Sequence, residues 1–329
     1  MLARLRSQRD LVVVYSALGL LVIVAAIIQP LFRTQFNVEV LFGASLALGL
    51  AAIGQTFVVL TGGIDLSVGS TMSLITVVAA VHMDGSNGRL ATAILIAVAI
   101  GAAIGLFNGL VVAGLRAEPI VATLGTLSVV QGLTLWQSVQ PTGRSSPALE
   151  SVIYKTVDVV PRSAIVLAAA FAIGTFVLRR TRYGLHIYAL GGAEESARLS
   201  GVPTFRVKAS AYMLCGIFSA LAGLALAGRL GQGDPIAGQF FLLTSVAAVA
   251  IGGTSLFGGR GGLIGTLGGV LILTVLTNVL TLEGVGTYPK NVTTGLLIIT
   301  VVIIYRVVLR VRGPRRPRGS PRSSSTTPG

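Results

Sequence analysis

Long apolar runs separated by short polar stretches make up most of the chain. Ten runs are candidate membrane-spanning helices, at about 11–28, 38–60, 65–82, 90–114, 119–138, 163–178, 208–228, 240–252, 263–282 and 291–309. A simple span needs ~20 apolar residues, and runs such as 240–252 are shorter, which favours broken or tilted helices. The pattern therefore predicts an all-α integral membrane protein, a polytopic bundle of about ten transmembrane helices.

Composition agrees with this fold class. A mean hydropathy of +0.85 with 53% hydrophobic residues excludes a soluble globular protein. The single cysteine, Cys215, lies inside an apolar run, so no intrachain disulfide is expected, and the two histidines, His82 and His186, lie far apart in the chain. The sequence therefore predicts no catalytic residue and no metal site, and no cofactor bound by this chain itself.

Positive charge predicts the orientation in the membrane. If the N-terminus is cytoplasmic, the inner segments hold 18 of the 25 Lys and Arg residues and the outer segments hold 7. This asymmetry follows the positive-inside rule and, with ten crossings, predicts that both termini are cytoplasmic. The net charge of +14 is then a result of topology, which argues against nucleic acid and leaves the lipid bilayer as the partner.

The predicted domain organisation has three parts. Residues 1–10 form a cytoplasmic N-terminal tail, and the following run is interpreted as an uncleaved first helix because it is longer than a signal core and lacks a clear cleavage site. Residues 11–310 form the transmembrane domain. Residues 311–329 form a basic tail that is rich in Pro, Ser and Arg and is predicted to be disordered.

The most charged interior segment is 179–208. It holds six Lys or Arg residues, with Glu194 and Glu195 as its only acids. Lipid cannot hold this density of charge, so the segment is predicted to be a cytoplasmic loop. Its centre, Glu194–Gly201, opens with acids and closes on glycine, as helix ends prefer, and therefore predicts a short helix.

Small residues on this short helix suggest a contact with a partner. Ala197, Ser200 and Gly201 are spaced i, i+3 and i+4, so a helix would place them on one small-residue face. Such a face can seat in a groove of another protein, with Glu194 and Arg198 steering it from the rim. An ordinary solvated loop is the alternative.

Paired glycines interrupt the apolar pattern at Thr61–Ser70, TGGIDLSVGS, where the second run turns into the third. Gly62 and Gly63 permit a bend that a β-branched residue would resist. Asp65 would fall at the start of the next helix, where a carboxylate can cap free N–H groups. An acid near the membrane is a functional candidate, although capping is the favoured interpretation.

A second glycine-rich block, Ile251–Gly262, IGGTSLFGGRGG, precedes the ninth run. A Walker A loop would need Gly-x4-Gly-Lys-Ser/Thr, whereas here Arg260 is followed by glycine and no strand precedes the block. ATP hydrolysis is therefore expected on another subunit. Both blocks share the pattern Gly-Gly-x-x-Leu-x-x-Gly. The residues expected to form hinges or gates are Gly62, Gly63, Asp65, Gly69, Gly252, Gly253, Gly258 and Gly259.

Polar residues in the fourth and fifth runs are candidates for the path of a solute. Asn108, Thr123 and Thr126 can offer hydrogen bonds to a polar solute, although buried Thr just as often bonds its own helix backbone. Glycines at four-residue spacing over 101–109 form one stripe, which predicts close helix packing.

Three separated blocks carry a family resemblance. Thr61–Ser70, Tyr188–Val202 and Ile251–Gly262 resemble, in this order, the permease subunits of sugar-type ATP-binding-cassette importers, the ribose and xylose permease family. The resemblance covers about residues 11–305. The chain departs from the family at three places. The family often has Asn at the position of Ala193 and usually has acids at the positions of Leu242 and Thr244. It usually has a proline pair where this chain has Glu118-Pro119.

The resemblance implies an importer of the plasma or inner membrane. Its partners would be an extracytoplasmic sugar-binding protein, a second permease copy, identical or paralogous, and a cytosolic ATPase that carries ATP and Mg. Closure of the ATPase would move the loop 179–208, and the helices would pivot at the two glycine turns. The residues that would couple to the ATPase are Glu194, Glu195, Ala197, Arg198, Ser200 and Gly201.

Other function classes need features that the sequence lacks. An ion-coupled secondary transporter would need acids in mid-membrane, whereas the acids here fall near segment ends or in loops. An intramembrane enzyme would need a nucleophile–base pair or metal ligands. A permease for another polar solute, such as a nucleoside, stays open, because only the resemblance suggests sugar.

Overall fold

The computed structural model describes residues 2–286 together with 289–290, 292–293 and 295–296. The helices are α1 (Leu2–Ile28), α2 (Gln35–Leu60), α3 (Val68–Met83), α4 (Leu90–Gly114), α5 (Pro119–Gln137), α6 (Pro147–Tyr154), α7 (Arg162–Arg180), α8 (Arg182–Gly192), α9 (Glu194–Leu199), α10 (Thr204–Leu230), α11 (Gln239–Ile251) and α12 (Leu263–Leu282). Short 3-10 helices cover Pro30–Arg33 and Asn87–Arg89, and β1 (Thr156–Val157) pairs antiparallel with β2 (Val160–Pro161).

Nine of the ten predicted runs form apolar helices. In the described part of the chain, α1, α2, α4, α5, α7, α10 and α12 are long and apolar enough to cross a membrane. The apolar helices α3 and α11 are shorter, with 16 and 13 residues. The prediction of an all-α, polytopic protein is confirmed. Most of the tenth run, 291–309, and the whole tail, 311–329, lie outside the described residues. Because α1 begins at Leu2, most of the predicted N-terminal tail belongs to this helix.

The core forms around α2 and α10. Most of α2 is buried, and α10 packs against α2, α3 and α4. The glycine stripe of α4 lies directly on α10, since a Cβ at Gly101, Gly105 or Gly109 would collide with the α10 main chain. This confirms the predicted close packing, in which small residues let two helix backbones approach.

The connection between α10 and α11 explains why α11 can be short. Thr76 Oγ1 on α3 donates to the Asp234 carbonyl at 2.8 Å, and the Gly238 N–H donates to Ser73 Oγ at 3.0 Å. The segment Gly231–Gly238 therefore runs along α3 before α11 begins. Thus α11 starts beside the first half of α3, and its 13 residues end at the second glycine-rich block.

Candidate functional site

The first glycine turn ends α2 with a Schellman motif. The Gly62 N–H donates to the Val59 carbonyl at 2.9 Å, and the Gly63 N–H donates to the Val58 carbonyl at 3.2 Å. Gly62 has φ +85°, in the left-handed region that favours glycine. The predicted bend therefore occurs here and has a defined hydrogen-bond pattern.

The second glycine turn ends α11 in the same way. The Gly253 N–H donates to the Ala250 carbonyl at 2.9 Å, the Thr254 N–H donates to the carbonyl five residues earlier at 3.2 Å, and Gly253 has φ +81°. Gly253 is thus the counterpart of Gly62. The shared sequence pattern aligns Gly252 with Gly62, which is wrong by one residue. The position of the motif depends on the residue at which each helix ends, and the pattern does not give that residue.

The prediction that Asp65 caps α3 is wrong, because Ser67 occupies the N-cap position. Asp65 Oδ1 accepts hydrogen bonds from the Ser67 N–H at 2.9 Å and the Ser67 hydroxyl at 2.7 Å. The first of these contacts forms an Asx turn, because the carboxylate reaches the main chain two residues ahead. The helix begins later, at Val68, and Ser67 at its N-cap makes no side-chain capping bond. The carboxylate therefore shapes the turn before the helix.

The three residues predicted to line a solute path converge on this turn. Asn108 Nδ2 donates to Ser67 Oγ at 2.9 Å, and Thr126 Oγ1 donates to Asn108 Oδ1 at 2.6 Å. Thr123 Oγ1 lies 3.3 Å from the Ile64 carbonyl and 2.8 Å from a carbonyl of its own helix. All three are buried and bonded within the chain. Contact with a solute stays a prediction, and it requires this turn to open.

Gln55 fastens the same turn to the interior of α2. With its side-chain amide oriented to satisfy both ends, its nitrogen donates to the Asp65 carbonyl at 3.1 Å and its oxygen accepts the Asp65 N–H at 3.2 Å. The first turn is therefore held by side chains from α2, α4 and α5.

Within the described residues, no group of three or more His, Cys, Asp or Glu side chains is placed to hold a metal ion.

Segment 179–208 contains the predicted short helix as α9, but that helix ends earlier than expected. Ser200 is its C-cap, and Gly201 follows with φ +81°. Ala197 is only 5% exposed, and its carbonyl accepts the Val202 N–H at 3.0 Å. The prediction of one small-residue face is therefore wrong, because the helix turns Ala197 inward and leaves Ser200 and Gly201 beyond its end.

The outer surface of α9 is charged, with one large apolar side chain. Leu199 is 76% exposed. Arg198 forms an ion pair with Glu195 at 2.6 Å, and Lys208 forms one with Glu194 at 2.7 Å. The hydrogen bond from Arg198 lowers the pKa of the Glu195 carboxyl. Leu199, which the sequence analysis missed, is the apolar group of this helix that is open to a partner.

Three main-chain segments meet where α8 approaches both glycine turns. The Gly259 N–H donates to the Leu60 carbonyl at 3.0 Å. A Cβ on Gly258 would lie 2.8 Å from the Gly62 nitrogen and 2.9 Å from the Gly191 carbonyl oxygen. A Cβ on Gly191 would collide with the Leu60 carbonyl and the Gly259 nitrogen. We call this contact the glycine junction; it comprises Leu60–Gly62, Gly191–Gly192 and Gly258–Gly259.

The glycine junction joins α8, which leads into α9, to the turns that end α2 and α11. A further bond, from the Tyr188 hydroxyl to the Gly261 carbonyl at 2.9 Å, attaches α8 to the second turn again. The sequence analysis selected Gly62, Gly258 and Gly259 but missed Gly191, although the Gly191-Gly192 pair directly before α9 was a visible signal.

Comparison with known proteins adds the family. Residues 37–305 match the family described as "Branched-chain amino acid transport system / permease component". The ribose import permease protein of Bacillus subtilis (strain 168) is 40% identical over 296 residues, covering 89% of this chain and 91% of that protein. The ribose import permease protein of Escherichia coli (strain K12) is 34% identical over 307 residues, covering 92% of this chain and 94% of that protein.

The fructose import permease protein of Rhizobium meliloti is 35% identical over 289 residues, covering 85% of this chain and 80% of that protein. No solved structure matches this chain. The matches confirm the resemblance carried by the three sequence blocks. The chain belongs to the family of branched-chain amino acid transport system permease components, and it is a multi-pass permease of the inner membrane.

Proposed function

We propose that the chain forms the translocation path of an ATP-binding-cassette importer for a monosaccharide. The observation that carries this proposal is the likeness over nine-tenths of the chain to permeases named for ribose import. The family description names amino acid transport, so an amino acid or another non-sugar solute such as a nucleoside is the second candidate.

The proposed assembly has three further components. A binding protein delivers the solute outside, a second permease copy completes the path, and a cytosolic ATPase binds ATP and Mg. The proposed topology has ten crossings and two cytoplasmic termini, with residues 291–309 as the last crossing. This orientation puts 179–208 and both glycine turns in the cytosol, where an ATPase can reach them.

We further propose that the glycine junction carries the motion of the ATPase into the membrane. The exposed Leu199 side chain and the charges of Glu194, Glu195 and Arg198 make the contact, with Ser200 and Gly201 at its edge. Ala197 supports this contact from inside. A displacement of α9 reaches α8 through one residue, Ala193, and α8 contacts both turns through main chain. The residues proposed to move as hinges or gates are Gly62, Gly63, Asp65, Gly69, Gly252, Gly253, Gly258 and Gly259.

Reconstitution tests both the energy source and the solute class of the proposed importer. Proteoliposomes containing the permease, the ATPase and internal ATP should take up labelled ribose, fructose or galactose only when loaded binding protein is outside. Uptake should survive an uncoupler while ATP is maintained. Uptake that needs an ion gradient would instead establish a secondary transporter, and uptake limited to a nucleoside or an amino acid would establish the second candidate.

The variant Leu199→Asp tests the coupling contact. It should abolish stimulated ATP hydrolysis and uptake together while docking of the binding protein persists, because a carboxylate replaces the apolar contact. Leu185→Asp is the matched control, since Leu185 on α8 is 69% exposed. Wild-type rates in Leu199→Asp, or equal loss in both variants, would show that α9 is not the specific contact.

A further inference from the structure

A cavity of about 360 Å³ lies beside the glycine junction on the proposed cytoplasmic side. It is bounded by the first glycine turn, the start of α5, the α8–α9 connection and α10. Five side chains around it matter here, those of Glu118, Glu194, Lys208, Tyr212 and Phe257. Its volume is in the range of small-molecule sites, roughly 300–1,000 Å³.

Tyr212 gives the cavity an unused polar group. Its side chain is fully buried, and its hydroxyl has no hydrogen-bond partner among the described residues. The hydroxyl lies against Gly63, which also lines the cavity, and a Cβ on that glycine would collide with it. Buried hydroxyls are nearly always paired, so a ligand hydroxyl in the cavity would supply the missing partner.

The charges around the cavity limit what can bind. Lys208 Nζ contacts both carboxylate oxygens of Glu194, at 2.8 and 2.7 Å. The Glu118 side chain has no hydrogen bond or ion pair in the part of the chain that the structure describes, although its main-chain carbonyl accepts the Ala122 N–H. The lining therefore carries an excess negative charge, which repels phosphate and accepts hydrogen bonds from neighbouring hydroxyls.

Phe257 adds an apolar surface to this polar lining. Its side chain is 76% exposed, so its ring is open to the C–H face of a ligand. A small, neutral polyhydroxy compound has hydroxyls that can form hydrogen bonds with the Tyr212 hydroxyl and the Glu118 carboxylate. It also has an apolar face that can cover an aromatic ring. A phosphorylated sugar shares this shape but carries the wrong charge.

We infer that this cavity is a cytoplasmic binding site for a free monosaccharide of the class that the permease imports. This inference rests on the proposed function. A sugar bound there would link Tyr212 and Glu118 to Glu194 at the start of α9. It would hold α9 against the first glycine turn, so accumulated free sugar would slow the transport cycle.

Direct binding is the first test. The permease–ATPase complex without binding protein is titrated in nanodiscs with ribose, fructose and galactose, and with ribose 5-phosphate. At least one free sugar should bind, and the phosphate ester should not. No binding of any of the three sugars, or equally tight binding of the phosphate ester, would overturn the inference.

Two variants connect this binding to the cavity. Tyr212→Phe should weaken the affinity by about fivefold and Glu118→Gln by about tenfold, through the loss of one neutral and one charged hydrogen bond. Because the Tyr212 hydroxyl has no partner, Tyr212→Phe should keep the melting temperature of the sugar-free complex. Tyr154→Phe, which removes a hydroxyl near the outer end of α10, should leave the affinity unchanged. Unchanged affinity in both cavity variants would overturn the inference.

Uptake separates this inference from the proposed function. Proteoliposomes are loaded with ATP and unlabelled sugar, and binding protein is added outside, so only complexes with their cytoplasmic face inward are active. Lumenal sugar should lower the initial rate of labelled uptake in the wild type but not in Tyr212→Phe. Uptake that ignores lumenal sugar would overturn the inference alone. The absence of uptake for all three sugars would overturn the proposed function.

Discussion

The two glycine turns end their helices with the same motif but are held in place by different means. The first turn, after α2, is fixed by the buried side chains of Gln55, Asp65 and Asn108. The second, after α11, exposes Phe257 and packs through glycine main chain against α8 and Leu60. The first turn depends mainly on buried hydrogen-bonding side chains. The second depends mainly on close packing of glycine main chain, with further hydrogen bonds that involve the side chains of Thr254 and Tyr188.

This difference predicts that the two turns respond most strongly to different changes. Removing a polar side chain should damage the first turn, because it leaves buried donors unsatisfied. Adding a methyl group should damage the second turn and the glycine junction, where backbones already touch. The following variants test this comparison, from the largest expected effect to the smallest.

Gly191→Ala should have the largest effect. Its Cβ would overlap the Leu60 carbonyl and the Gly259 nitrogen, and main chain on both sides cannot move aside cheaply. We expect a destabilisation of about 3 kcal/mol or more, and loss of uptake. Gly192→Ala is the matched control, because nothing lies within 4 Å of its Cβ position. Equal melting temperatures and uptake for the two variants would contradict the glycine junction.

Asp65→Ala should be the most damaging loss of a side chain. It leaves the Ser67 N–H and the Ser67 hydroxyl without their acceptor in a buried site, and Asn108 Nδ2 loses the longer of its two hydrogen bonds. Each such group costs about 1–3 kcal/mol. Asp65→Asn keeps one acceptor oxygen and should lie between Ala and wild type in thermal unfolding of the purified protein. A wild-type melting temperature for Asp65→Ala would show that the network does not hold the turn.

Gly63→Ala and Tyr212→Phe should interact. The new Cβ would collide with the Tyr212 hydroxyl and lie 3.2 Å from the ring carbon that bears it. Gly63→Ala alone should cost about 1–3 kcal/mol. Tyr212→Phe removes the colliding oxygen, so the double variant should recover part of this stability in a double-mutant cycle. Strict additivity of the two changes would refute the contact.

A pair of serines gives the smallest effect and the sharpest contrast. Ser67→Ala removes a hydroxyl that donates to Asp65 and accepts from Asn108, and should cost about 1–3 kcal/mol. Ser255→Ala in the second turn removes only a long contact, 3.3 Å, to the Phe257 N–H, and should cost less than about 1 kcal/mol. The reverse order in thermal unfolding would mean that the two turns are not held as described.

Much of the fold followed from the sequence because lipid imposes simple local rules. A membrane span needs a long apolar helix, so the apolar runs predicted nine helices that the structure contains. Charge predicted a break between two long apolar helices at 179–208, where α8 and α9 separate α7 from α10, and paired glycines marked the ends of α2 and α11. These features depend on composition within one segment and need no knowledge of its neighbours.

The tertiary structure decided which residues of those segments meet. Gly191 contacts Leu60 and Gly259, which are far from it in the chain, and hydropathy carries no signal for such contacts. Ala197 faces inward because α9 packs on α8 and ends after six residues, which its i, i+3, i+4 spacing could not show. Asn108 and Thr123 bond the first glycine turn, and Thr126 bonds Asn108. Polar groups buried away from water bond whatever the packing brings within reach, so their partners are settled only when the helices assemble.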